Sequence, residues 1–281
     1  MILLIDFDSI IYKSVYKVVS ISQMREAIEN YGKESAKQWL MQEVYNEAIN
    51  RCENELLKMQ NYIQTIFLGE ITGVELFITT CNKSFRKEIS KEYKAKRKKN
   101  NYVWTIREHY RFNGAFFSDT LEADDLIADR VNELGRDNCI VVSIDKDLKT
   151  IGGWYWSYFK VPEKDMQGNF CLNEYGNKNY IFKYDSVEWI TEKEANLFFW
   201  KQMLMGDSGD GIAGLTPITL YEKEQLNIIF KKKHYCKIGE ANAKKILKDS
   251  NNHFITVARE YIKRNQKEDF WVNYKLLKLG K

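Results

Sequence analysis

Two short apolar runs that end in acid do most to limit what this chain can become. Ile2-Leu3-Leu4-Ile5 leads straight into Asp6, and Cys139-Ile140-Val141-Val142-Ser143 leads into Asp145 and Asp147. Unbroken apolar runs of this length are how strands buried on both faces read, as in a parallel sheet covered by helices. Val74 to Thr79 gives a further strand pattern, Trp154 to Lys160 a fourth strand and Lys178 to Tyr184 a fifth. The aromatic residues of 154–160 are expected to pack on the sheet. Between the strands, residues 22–67 contain no Pro and a single Gly. Trp39, Leu40, Val44, Ala48 and Ile49 recur there at helical spacing. Leu121 to Leu134 reads as an amphipathic helix ended by Gly135. Strands alternating with helices predict an α/β layer with a mostly parallel sheet, and the pattern turns helical after about residue 190.

Open parallel sheets place their sites at the carboxyl ends of strands, and acids gather at those ends here. Asp6 and Asp8 close the first strand. Asp145 and Asp147 follow the third, and in extended chain their spacing points both to one side. Glu122, Asp124 and Asp125 open the helix before it, where residues 122 and 125 share a face and all three suit a positive helix N-terminus. Asp207 and Asp210 lie in Gly206-Asp207-Ser208-Gly209-Asp210-Gly211, whose glycines let the backbone bring them close to a ligand. The spacing excludes an EF-hand. Any one group alone reads as capping or surface charge. Together they repel strongly unless cations neutralise them. Oxygen donors without His or Cys point to Mg²⁺ or Mn²⁺. Two such ions about 4 Å apart are the usual apparatus for phosphodiester cleavage.

Composition narrows the rest. With 44% apolar and 29% charged residues the chain is globular. No run of about 18 apolar residues occurs, and an acid at position 6 with no basic leader predicts neither a signal peptide nor a membrane anchor. Five cysteines (Cys52, Cys81, Cys139, Cys171 and Cys236) form no C-x-x-C pair. That disfavours disulfides and a zinc ribbon and fits a reducing cytoplasm. His234 stands near Cys236, but no second pair answers them. A net charge of +4 says little, whereas its clustering at Lys91–Lys99 and Lys231–Lys233 suits phosphate backbones. Each cluster also reads as a solvated helix face.

The order of motifs resembles the flap endonuclease and 5′-to-3′ exonuclease family, in its bacteriophage and DNA polymerase I forms. The resemblance is carried by Leu4-Ile5-Asp6, Phe85-Arg86-Lys87 leading to Tyr93-Lys94-Ala95-Lys96-Arg97, Glu122-Ala123-Asp124-Asp125, Ser143-Ile144-Asp145-Lys146-Asp147-Leu148, Gly206 to Asp210, and Ile238-Gly239-Glu240-Ala241-Asn242-Ala243-Lys244-Lys245-Ile246-Leu247. It covers most of the chain outside about residues 20–70. It implies a PIN-like α/β nuclease core over 1–190, with a helical insertion at 20–70 and a basic arch segment at 82–105. A helical DNA-binding part of helix-hairpin-helix type would follow over 191–281.

The same resemblance implies roles. Asp6, Glu122, Asp124, Asp125, Asp145, Asp147, Asp207 and Asp210 would hold two Mg²⁺ or Mn²⁺ ions, with Asp6 preferred over Asp8 because of its spacing to Tyr12. Lys94 and Arg97 would touch the scissile phosphate, and Arg86 would add a phosphate contact. Gly239, Lys244 and Lys245 would grip duplex DNA, with a K⁺ ion at that element. The implied substrate is DNA with 5′ ends or flaps, or an RNA–DNA hybrid. Replication proteins are the implied partners, and the chain is expected to be a cytoplasmic monomer, in the host cytoplasm if phage-encoded.

Two departures stand out. Many family members carry an Asp after the second strand where this chain reads Thr79-Thr80-Cys81-Asn82, which implies one metal held more weakly or through water. An extra stretch separates Gly214 from Gly239. It reads as a further duplex contact, a partner contact or a tolerated loop. The rival readings are a PIN-type ribonuclease and a DNA-structure-binding protein without catalysis.

Overall fold

β1 (Ile2–Asp6) lies inside a five-stranded sheet of order β2-β1-β3-β4-β5, in a computed structural model that describes residues 1–15, 21–80, 83–97, 100–172, 180–216 and 238–280. β2 (Gly73–Phe77) and β3 (Cys139–Val142) flank β1, both parallel to it. β4 (Gly153–Pro162) adds parallel to β3, and β5 (Tyr180–Ile190) closes the row antiparallel to β4. The mostly parallel α/β architecture expected from the sequence is therefore present. β5 is the exception in direction, because it returns from β4 as a hairpin arm and needs no crossover helix.

Side-chain alternation assigns the two faces of the sheet. Leu3 and Ile5 of β1 join Ile140 and Val142 of β3 in one core. Leu4, Cys139 and Val141 point into another on the opposite face. The first face is covered by α1 (Asp8–Val15), α2 (Ile21–Ile66) and α4 (Asn101–Phe112); the short α3 (Phe85–Ile89) precedes α4. α2 presents Leu40, Val44, Ala48, Cys52, Leu56, Met59 and Ile63 as one buried seam at steps of three or four residues. Each fully buried Leu, Ile or Met in such a seam stabilises by about 1.5–3 kcal/mol. Trp39, expected beside this seam, stays 37% exposed. The helix expected without interruption is broken at Gly32, whose φ of 74° and ψ of 164° no helix accommodates.

α5 (Ala123–Leu134) covers the second face with Ala123, Ile127, Ala128 and Val131. α6 (Glu192–Met205) links this core to a third one. Its Ala195 belongs to the sheet, while Trp200, Met203 and Leu204 pack with α7 (Glu240–Lys248), α8 (His253–Lys263) and α9 (Lys267–Leu277). A two-stranded hairpin, β6 (Gly206–Asp207) with β7 (Ile212–Ala213), interrupts the helical run expected after residue 190. Among the described residues no helix is long and apolar enough to cross a membrane. Cys81, Asn82, Lys98, Lys99, Lys178 and the whole of 217–237, with Lys231–Lys233, His234 and Cys236, lie outside the described residues.

Candidate active site

The carboxyl ends of β1 and β3 open into a cleft of about 610 Å³. Asp6, Glu122, Asp124 and Asp145 line it together with Lys94, Arg97 and Arg107. β1 lies between strands reached by connections on both sides, so its end is the point in an open sheet where a crevice forms. Each acid arrives by a local rule. Asp6 is the last residue of β1, 6% exposed, and receives a 2.7 Å hydrogen bond from Ser143 Oγ. Asp124 sits in the first turn of α5, whose capping box joins Glu122 and Asp125. Asp145 ends the segment after β3 and caps a short 3₁₀ turn (Lys146–Ile151), accepting from the Asp147 N–H at 2.9 Å. That turn corrects the expectation of extended chain at 145–147. Asp147 is drawn away from the side of Asp145 that faces the cleft and lies against Asp207 instead.

Electrostatics divide the expected ligands into two classes. In the first, burial and neighbouring acids outweigh what any nearby lysine offsets. Asp6 is pushed up to about 7 by burial, then by Asp8 and Asp145. Asp124 is raised well above the ordinary carboxylate value by burial and by Asp6. Asp147 is pushed up to about 7 by burial, Asp145 and Asp207, and its Oδ1 is buried without a hydrogen-bond partner. Asp207 accepts from the Gly209 N–H at 2.8 Å and the Asp210 N–H at 3.3 Å, which shapes the turn between β6 and β7.

The second class is already partnered. Lys94 Nζ reaches Glu122 Oε2 at 2.5 Å and Asp210 Oδ2 at 3.4 Å, and Tyr93 Oη donates to Glu122 Oε2 at 2.9 Å. Burial opposes ionisation of Glu122, but Lys94 outweighs it and holds the carboxyl below its usual value. Arg97 bonds Asp210 Oδ1. The backbone helps: Lys94 adopts φ 51°, and its N–H donates to the Asp210 carbonyl at 2.8 Å. Gly211 makes this contact feasible, since a Cβ there would stand 2.5 Å from the Glu92 carbonyl oxygen.

Two expected roles need correction. Arg86 is 1% exposed and grips Asp125, also 1% exposed, through bonds of 2.5 and 2.6 Å. Its Nε and Nη2 also donate to the carbonyls of Leu276 and Lys278. With its donors turned inward, Arg86 has no access to a phosphate, and Asp125 has no lone pair directed at the cleft. Their pairing fastens α3, α5 and the segment after α9 together. Gly239 is the N-cap of α7, and the exposed Lys244 on that helix pairs with Glu240, which also receives Lys201. Lys245 is exposed on the same helix, and neither lysine lines the cleft.

Sequence reasoning missed two contributors. Arg107 Nε bonds Asp8 Oδ1 at 2.8 Å across 99 residues, and Ser143 orients Asp6; neither pairing leaves a local pattern. Asp8 also accepts from the Thr79 N–H at 3.3 Å, which places its carboxylate at the end of β2.

Among the described residues no three or more His, Cys, Asp or Glu side chains already converge as a metal site. Lys94, Arg97 and Arg107 hold Glu122, Asp210 and Asp8 in ion pairs. The donor chemistry nonetheless fits a hard divalent cation. The available groups are carboxylates, and the orphaned Asp147 Oδ1 faces a second carboxylate that supplies no proton donor when ionised.

No protein-family model matches this sequence, and no curated protein matches it. Among solved structures, a mutant 5′-exonuclease of phage T5 aligns with 98% of this chain and 96% of its own, at 14% identity and a TM-score of 0.44. The bacteriophage T5 D15 flap endonuclease, in a pseudo-enzyme–product complex with DNA and metal ions, aligns over 98% and 94% at 12% identity and 0.45. T5 5′-exonuclease with bound zinc aligns over 99% and 95% at 16% identity and 0.43. Likeness at this level carries no residue across, and each role below comes from this chain's own side chains.

Proposed function

We propose that this protein is a divalent-metal-dependent nuclease that hydrolyses phosphodiester bonds at or near DNA 5′ ends. One observation carries the reading: the carboxylates Asp6, Asp124 and Asp145 and the cations Lys94, Arg97 and Arg107 line one cleft. A phosphodiester needs cations on its oxygens and an activated water, and this cleft holds groups suited to both. Asp6, Asp124 and Asp145 would hold one ion, and Asp147 with Asp207 a second. Bound Mg²⁺ or Mn²⁺ supplies Lewis acidity and an acidified water.

The remaining chemistry falls to the chain. Lys94 stabilises charge that builds on the phosphoryl oxygens, from a position set by Glu122 and Asp210. Arg97 takes a non-bridging oxygen as it leaves Asp210. Ser143 keeps Asp6 turned towards the cleft. The division into a core over 1–190 and a helical DNA-binding part over 191–281, with Gly239, Lys244 and Lys245 on duplex phosphates, belongs to the same proposal. So do action on flaps or RNA–DNA hybrids, a K⁺ ion near Gly239, contacts with replication proteins, a monomeric state and a cytoplasmic location.

The test is cleavage of end-labelled 5′-flap, nicked-duplex and single-stranded DNA with Mg²⁺, Mn²⁺ or EDTA, beside Asp145→Asn. Metal-dependent release from the 5′ side, lost in the variant, is the expected outcome. Equal cleavage by Asp145→Asn would remove the proposed metal site. A second reading, binding without catalysis, is favoured by the sequence Thr79-Thr80-Cys81-Asn82, which has no acid after the second strand. Tight flap binding with no cleavage in either metal would establish it.

A further inference from the structure

The sequence predicts only packing for the aromatic residues of β4, and the ring of Tyr155 meets that expectation in the core with Leu4, Val141 and Leu148. Its hydroxyl has a second task. A phenol that is 3% exposed is costly to bury unless its O–H finds a partner. Tyr155 Oη donates to two, the carbonyls of Ser143 and Asp145, each at 2.9 Å, so its single proton is shared between them. Both carbonyls lie past Val142, where β3 and its ladder to β1 have ended. Among the described residues the Ser143 carbonyl has no other donor, and the Asp145 carbonyl also accepts the Leu148 N–H at 3.3 Å. Ile144 between them is 48% exposed, so its side chain adds little to hold the segment. Within the same segment Ser143 Oγ donates to Asp6 Oδ2 at 2.7 Å and accepts the Asp145 N–H at 2.9 Å. One hydroxyl thus ties the side chain of one cleft acid to the backbone of the other. Lys149 of the following 3₁₀ turn stands 5.0 Å from the Tyr155 ring centre and pairs with Glu188 of β5.

We propose that Tyr155 is a positioning residue for the metal site: its hydroxyl fixes the Ser143–Asp145 segment and, through the Ser143 hydroxyl, sets the spacing between the Asp6 and Asp145 carboxylates. The phenol touches neither cation nor DNA in this role. It rests on the nuclease reading above, and it adds that part of the metal affinity is stored in β4, a strand that contributes no ligand. Removing a hydrogen bond that orients a metal ligand from outside typically lowers metal affinity about 10–100-fold, because the ligands must then be ordered when the ion arrives.

The test is Mn²⁺ binding without DNA, followed by the electron paramagnetic resonance signal of the free ion, for the unaltered protein and for variants whose fold is checked by circular dichroism. Tyr155→Phe keeps the ring and loses only the hydroxyl, and it is expected to weaken Mn²⁺ binding about tenfold. Ser143→Ala should weaken it by a similar factor. The double variant should lose clearly less than the product of the two, since both changes act on one segment. In cleavage, Tyr155→Phe should need about tenfold more Mg²⁺ for half-maximal rate, with the rate largely recovered at saturating metal. Tyr184→Phe is the control: it removes from β5 a hydroxyl that donates to Glu55 at 2.6 Å outside the cleft lining, and Mn²⁺ affinity should not change. Unchanged Mn²⁺ affinity in a folded Tyr155→Phe overturns the proposal, and so does full multiplication of the two single losses in the double variant. An equal loss in Tyr184→Phe would trace the effect to general destabilisation and overturn it too. If Tyr155→Phe does not fold, Ser143→Ala decides, because unchanged affinity there breaks the link between the two carboxylates. Failure of the unaltered protein to take up any Mn²⁺ would instead remove the nuclease reading, which separates the two failures.

Discussion

The Arg86–Asp125 junction and the cleft carboxylates are built from the same kinds of side chain, within one helical turn of each other, yet they occupy opposite electrostatic states. Asp125 points inward to a bidentate arginine and is 1% exposed. Asp124, one residue earlier, turns by a helical step of about 100° into the cleft, where burial and Asp6 raise it and only Lys94 eases it. A charge supplied with its partner holds a structure together. A charge kept half-buried beside other acids is tolerable where a proton or a cation from outside neutralises it. Which acids await a ligand is therefore decided by their partners, not by their position in an acidic motif.

The sharpest way to break that contrast is to neutralise the two neighbours in turn. Asp124→Asn should lower cleavage by about 10³-fold or more while leaving stability in EDTA unchanged or improved. Asp125→Asn should strand a buried arginine and destabilise by about 3–5 kcal/mol, read by urea unfolding. Similar stability losses from both would erase the distinction. Lys94→Ala is the next largest effect. Removing a cation beside developing charge should slow single-turnover cleavage by about 10²-fold. Glu122, relieved of its main partner, should then titrate at a higher pH, visible in the pH–rate profile.

A smaller effect concerns the unneutralised class as a whole. Asp6 and Asp147 bind protons more tightly in the folded protein than in the unfolded chain. Their contribution to stability is present below about pH 4 and is lost as pH rises through about 7. In EDTA the well-buried Asp6 should reduce stability on the order of 1 kcal/mol per pH unit across that window. Saturating Mg²⁺ or Mn²⁺ should flatten the decline, because the ion takes the place of the protons. A metal-independent pH profile of thermal unfolding would argue against these acids as ligands. The smallest effect lies far from the cleft. Replacing Lys244 and Lys245 together by Ala should reduce the salt slope of duplex binding by roughly 1–2 without altering the rate of bound substrate.

The sheet was legible because buried strands and covering helices write their periods locally. Ile2–Ile5, Cys139–Val142 and the Ala123–Leu134 helix follow directly from apolar spacing and a Gly stop. The direction of β5 was not legible, since alternation is the same in parallel and antiparallel strands. The gathering of Asp6, Asp124 and Asp145 could be anticipated from strand ends. The fate of Asp125, Asp8 and Glu122 could not, because Arg86, Arg107 and Lys94 reach them across 39, 99 and 28 residues. The expected orientation of Asp147 beside Asp145 failed for a local reason: Asp145 caps the chain into a 3₁₀ turn, which rotates the next acid away.

The stitching of Asp125 also bears on how the molecule assembles. Its carboxylate receives Arg86 from 39 residues earlier and the Gly280 N–H, at 3.3 Å, from 155 residues later. Contacts of such long sequence separation form slowly, since loop closure must precede their reward. The first turn of α5, which carries Asp124, therefore gains its last support only when the segment after α9 arrives. During synthesis the sheet can form while the cleft is still unfinished, so competence to bind a cation should appear as one of the final events of folding.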